Sequence, residues 1–226
     1  MTNDDSKNSF SPGLCFYWCE WKPGEEHCWY WGQLCGSMHR LAFISQEFAA
    51  IKRIRDTDLA LQRLVYHMEN YLIRVYELRE RTVNLFAIFA GYKGKIHLLK
   101  RKRTRQKAVR KLTAVDQSIS DTYIEILSII DDDINLRNQN THDTFISLGL
   151  ATEDNIYDPH DALLDVQHQH PKMYDDYRKR IREEIGKTVQ RYNQKIARIN
   201  RLTMKALDQM DFTNRGEFKR VTVQFS

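Results

Sequence analysis

Apolar residues recur at three- and four-residue steps through most of this chain, the period at which one face of an α-helix is covered. The first such run is Met38, Leu41, Ile44, Phe48 and Ile51, with Ser37 placed to cap it. A longer run follows, with Asp58 placed to cap it and Leu61, Leu64, Val65, Met68, Leu72, Val75, Tyr76, Leu85 and Phe89 on its stripe. Gly91 and Gly94 then bracket a break. A basic stretch ending near Leu112 predicts a helix with few apolar points, namely Ile96, Leu99 and Val109. From Thr113 another helix is expected, carrying Val115, Ile119, Ile126, Leu127, Ile129 and Ile130 into Asp131-Asp132-Asp133. The clearest period lies between Tyr174 and Leu207, through Tyr177, Ile181, Ile185, Val189, Tyr192, Ile196, Ile199 and Leu202, with Lys and Arg on the opposite face.

Between these runs, residues 149–171 contain Gly149, Pro159 and Pro171 among polar residues and predict a loop with one short helical piece. The tail Val221-Thr222-Val223-Gln224-Phe225 alternates weakly and reads either as one short strand or as a disordered end. Long amphipathic helices separated by short breaks predict an all-α, antiparallel helical bundle. A chain of 226 residues suits one core with decorations. The expected divisions are a Cys/Trp-rich segment over 1–36, the bundle over 37–210 and a tail over 211–226.

Charge sharpens this picture. The net charge of +5 conceals ten Lys or Arg and no acid over residues 93–111. Residues 112–175 then hold 13 acidic and two basic residues, and residues 176–226 hold 13 basic and six acidic. Two basic surfaces flanking an acidic segment are compatible with a polyanion partner. The opposite blocks can equally pair with one another inside the bundle or across a dimer. No apolar stretch approaches the roughly 20 residues that cross a bilayer, so no membrane partner is expected. Met1 to Asn8 lack the apolar core of a secretory signal, so the expectation is a cytoplasmic protein with reduced thiols.

Residues 14–36 hold all four Cys (Cys15, Cys19, Cys28, Cys35) and all four Trp (Trp18, Trp21, Trp29, Trp31). Their Cys spacing lacks the paired Cys-x2-Cys knuckles of common zinc sites, so the segment is expected to pack as an aromatic appendage on the bundle or on a second subunit. His168 and His170 with Asp161 and Asp165 fit a solvated loop better than a metal site. No metal or cofactor is therefore expected.

The chemistry concentrates in Arg137-Asn138-Gln139-Asn140-Thr141-His142. Arginine matches phosphate oxygens as a fork, and histidine titrates near neutral pH. An Arg-polar-x3-His string at the end of an apolar helix resembles the signature of the HEPN superfamily, helical bundles many of which are RNA-cleaving toxins and defence nucleases. The resemblance covers about ten residues closely and the helical order over about 37–210. It implies a cytoplasmic, metal-independent endoribonuclease whose homodimer brings two motifs face to face, because one histidine cannot easily be both acid and base. His142 would move protons, Arg137 would bind the scissile phosphate, and Asn138 would orient one of them. The implied products are 2′,3′-cyclic phosphate and 5′-hydroxyl ends. The implied role is in toxin or antiviral defence systems, with a partner protein that neutralises the nuclease. Some members carry a tyrosine two residues after the histidine that a partner adenylylates; Thr144 stands there instead. The residues alone leave another arrangement open, in which Arg137 pairs with Asp131 or Asp133 and His142 with Asp143. Lys100, Arg101, Lys102, Arg103 and Arg105 are the candidates for holding an RNA backbone. The alternatives from other classes are a non-catalytic nucleotide- or RNA-binding bundle and a protein-interaction module.

Overall fold

A computed structural model describes residues 14–18, 26–95, 97, 99, 102–140, 167–210 and 219–223, with side chains over 29–95, 97, 99, 103–135 and 167–210. Five helices are described: α1 (Glu26–Ile51), α2 (Thr57–Phe89), α3 (Lys102–Val115), α4 (Gln117–Asn140) and α5 (Pro171–Gln209). Strands β1 (Leu14–Trp18) and β2 (Lys219–Val223) pair antiparallel, with Leu14 opposite Val223 and Trp18 opposite Lys219. The body of the fold is thus all-α, and the weakly alternating tail forms a ribbon with a segment from the other end of the chain.

The helix ends follow local chemistry. Asp56 caps α2, its carboxylate accepting from the Leu59 amide at 3.0 Å. The cap is therefore Asp56 rather than the expected Asp58, which sits inside the first turn. At the far end of α2, Gly91 adopts φ +71, the left-handed conformation that a glycine takes without steric penalty. There the Tyr92 amide reaches back to the Ala87 carbonyl at 2.9 Å and ties off the last turn. The break before α4 falls at Asp116 rather than Thr113, because Asp116 accepts from the Ile119 amide at 3.0 Å and starts the new helix. Pro171 opens α5, where its missing N–H has no helical partner to lose.

The start of α1 differs most from expectation. Ser37 is not a cap but lies in the helix interior, fully buried, its hydroxyl donating to the Gln33 carbonyl at 3.3 Å and accepting from Arg81. The helix runs back to Glu26, and Trp31 and Leu34 belong to the core. The Cys/Trp-rich segment is thus divided. Cys15 and Trp18 lie in β1, Cys28, Trp29, Trp31 and Cys35 lie in α1, and Cys19 and Trp21 lie outside the described residues.

Cross-helix contacts set the topology. Ser45 donates to Asn193 (2.8 Å) and Arg182 to the Lys52 carbonyl (3.0 Å), so α1 and α5 run antiparallel. Tyr71 meets Asp133, and Phe86 packs on Tyr123 with ring centroids 5.0 Å apart, so α2 and α4 do too. Asp133 with Lys195, Glu125 with Arg198 and Ser118 with Gln209 give α4 and α5 the same relation. Helices α1, α2, α4 and α5 thus form an antiparallel four-helix bundle, and α3 lies against α2 and α4. The core is one continuous cluster running from Trp31 through Phe48, Tyr71, Phe86 and Ile126 to Leu207. Among the described residues no helix is long and apolar enough to cross a membrane.

Candidate functional site

The Asp131-Asp132-Asp133 triplet sits in the second half of α4, and its three carboxylates go to different places. Asp133 follows Ile119, Ile126 and Ile130 on the buried stripe and is only 5% exposed. Its two oxygens are both used: Oδ2 accepts from the Tyr71 hydroxyl at 2.7 Å and Oδ1 from Lys195 Nζ at 2.6 Å. A buried carboxylate demands such partners, since leaving one unpaired in the interior is costly. Asp131 turns the other way and pairs with Arg79 of α2 at 3.6 Å. Asp132 lines an open groove between α4 and α5.

Aromatic rings enclose the Asp133 cluster. The Tyr71 and Tyr192 rings meet edge to face at 4.8 Å, Phe48 lies 5.8 Å from Tyr192, and the Arg191 guanidinium sits 5.2 Å above the Tyr192 ring. Burial, with the Asp133 charge beside it, pushes the Tyr71 hydroxyl well above its ordinary range, so Tyr71 stays a hydrogen-bond donor at neutral pH. Tyr192 is raised for the same two reasons.

The groove above this cluster has a volume of about 760 Å³. Ser128, Ile129, Asp132 and Asp133 line its α4 wall, and Arg191, Tyr192, Gln194, Lys195 and Arg198 its α5 wall. Arg137 and Asn138 follow on the last turn of α4, one turn beyond Asp133. Because the helices are antiparallel and Asp133 meets Lys195, a step of four residues along α4 brings position 137 level with Arg191. The side chains of Arg137 and Asn138 and the whole of His142 lie outside the described residues.

Of the expected RNA-binding residues, Arg103 is exposed near the start of α3. Arg105 is half-buried and lines a separate cavity of about 110 Å³ with Arg79, Glu80, His97 and Leu99. Lys102 begins α3, its side chain outside the described residues, and Lys100 and Arg101 lie outside them altogether. The opposite charge blocks do meet within the bundle, through Lys195 with Asp133 and Arg198 with Glu125 at 2.7 Å. Internal pairing therefore absorbs part of the charge asymmetry.

The Tyr71–Asp133–Lys195 cluster is what the sequence reading missed. Its signal was a charged residue in phase with the Ile119, Ile126 and Ile130 stripe, which marks a buried pair rather than a solvated acidic run. Comparison with known proteins finds no matching family model, no matching characterised sequence and no matching solved structure.

Proposed function

We propose that this protein is a metal-independent endoribonuclease of the HEPN type that works as a homodimer. Arg137 binds the scissile phosphate, His142 transfers protons, and Asn138 orients the phosphate or the imidazole. The supporting observation is the backbone position of Arg137 and Asn138, on the last turn of a core helix in an antiparallel four-helix bundle, one turn beyond the Asp133 that lines an open groove.

In this chemistry a base removes the 2′-hydroxyl proton and the freed oxygen attacks the adjacent phosphorus. An acid then protonates the departing 5′-oxygen, and the guanidinium stabilises charge on the phosphate. The two proton transfers fall to the histidines of two subunits. The products are 2′,3′-cyclic phosphate and 5′-hydroxyl ends. Lys100, Arg101, Lys102, Arg103 and Arg105 add backbone affinity away from the chemistry, and Arg105 also lines the small cavity. The biological role is that of a cytoplasmic toxin or antiphage defence nuclease held in check by a partner protein.

The test is RNA cleavage by purified protein with EDTA present, followed by analysis of the new ends. Cleavage in EDTA with cyclic phosphate ends is the expected result. RNA binding without cleavage would move the assignment to a non-catalytic binding bundle, and neither binding nor cleavage to a protein-interaction module.

A further inference from the structure

Between Glu184 and Asp208, α5 carries six basic residues and no acid: Lys187, Arg191, Lys195, Arg198, Arg201 and Lys205. Their three- and four-residue steps hold them on one side of the helix, away from the buried Ile185, Val189, Ile196 and Ile199. The stripe is about 27 Å long at 1.5 Å per residue. All six except the half-buried Lys195 are exposed. Three are balanced locally, Lys187 by Glu184 (2.6 Å), Lys195 by Asp133 (2.6 Å) and Arg198 by Glu125 (2.7 Å). Arg191, Arg201 and Lys205 hold no ion pair among the described residues. The stripe also borders the 760 Å³ groove, with Arg191 level with position 137.

A row of like charges along one helix repels itself and gains when a linear counter-charge lies along it. One row on one helix fits one backbone, not the two of a duplex. We propose that this stripe is the docking track for the phosphodiester backbone of single-stranded RNA, leading a phosphate to the end of α4. Naming the polyanion as RNA rests on the ribonuclease assignment; the cationic track itself rests on the α5 geometry.

The test uses the full chain and a fluorescent single-stranded 2′-O-methyl RNA, which lacks the attacking hydroxyl and cannot be cut. Binding is followed by anisotropy over a range of salt. Arg191→Ala/Arg201→Ala/Lys205→Ala removes only the cations without an ion pair. Lys52→Ala/Arg53→Ala/Arg55→Ala removes the same charge from the exposed turn between α1 and α2. The stripe variant should bind at least about tenfold more weakly, with a log–log salt slope shallower by about 2, since each cation on a single strand contributes roughly 0.7. The turn variant should stay within about threefold of the unsubstituted protein. If the triple variant loses its helix content, the three single variants serve instead, each expected to flatten the slope by about 0.7. Unchanged affinity and slope in the stripe variant, equal weakening in both variants, or no salt-dependent binding by the unsubstituted protein overturns the track. Unmodified RNA is incubated with the protein in parallel. Binding through the stripe without cleavage would sink the ribonuclease assignment and leave the track standing. Cleavage that survives while the stripe variant binds normally would do the reverse.

Discussion

Replacing Lys195 with Met keeps most of the side-chain volume and removes the only cation bonded to Asp133 among the described residues. A fully buried carboxylate stripped of its partner loses about 3–5 kcal/mol. The Lys195 side chain is still 24% open to water, so the expected loss is nearer about 2–3 kcal/mol. In a domain of this size that lowers Tm by roughly 4–12 °C. Tyr71→Phe removes one hydrogen bond to the same carboxylate without opening a cavity, and about 1.5–3 kcal/mol should go with it. Urea denaturation followed by circular dichroism, at one protomer concentration, measures both losses. A Lys195→Met variant within about 0.5 kcal/mol of the unsubstituted protein at pH about 7 would refute the reasoning.

Light scattering at micromolar concentration should give about twice the 26.9 kDa chain mass, because the proposed centre needs two histidines; a monomer alone would count against a composite site. Lys100, Arg101, Lys102 and Arg103 changed together to Ala should weaken RNA affinity and flatten its salt dependence without slowing cleavage of bound RNA, as saturating single-turnover assays would reveal. The imidazole of His67 is pushed down chiefly by burial, opposed by Glu47 at 3.5 Å. The unfolded chain therefore takes up this proton at higher pH than the folded one, and stability falls as the pH drops through the unfolded value near 6.5. His67→Gln should show a smaller loss of Tm than the unsubstituted protein between pH about 7.5 and about 5.5, measured by thermal denaturation.

The long stripes were legible because their period is set by burial: Leu61, Leu64, Met68, Leu72 and Val75 on α2, and Ile181, Ile185, Val189, Tyr192, Ile196, Ile199 and Leu207 on α5, are core residues as their spacing implies. Helix ends were less legible. Asp56 and Asp58 are chemically equal as caps, and only the backbone geometry at Asp56 selects it. Ser37 has a capping side chain directly before the Met38 stripe, yet the Arg81 guanidinium gives its hydroxyl a role inside the bundle. Arg81 itself is lowered mainly by burial, a consequence of tertiary packing that no local pattern carries. Of the motif, the structure describes the backbone of Arg137 and Asn138 on the last turn of α4, where the apolar stripe of that helix implies a helix end, and His142 lies outside the described residues. The Tyr71, Asp133 and Lys195 cluster joins residues 62 positions apart on three helices, a distance across which helical periodicity carries no information.

The central claim is that Arg137 and His142 cleave RNA, and separate Arg137→Ala and His142→Ala variants test it most directly. A proton-transfer group contributes about 10²- to 10⁴-fold, and a charge-stabilising donor a similar factor. Each variant should therefore cut RNA at least about a hundredfold more slowly, keep its helical circular dichroism and dimer mass, and lose any toxicity on expression. Variants that fold, dimerise and cut RNA at the unsubstituted rate would contradict the account, and variants that fail to fold would make Arg137 and His142 part of the scaffold instead.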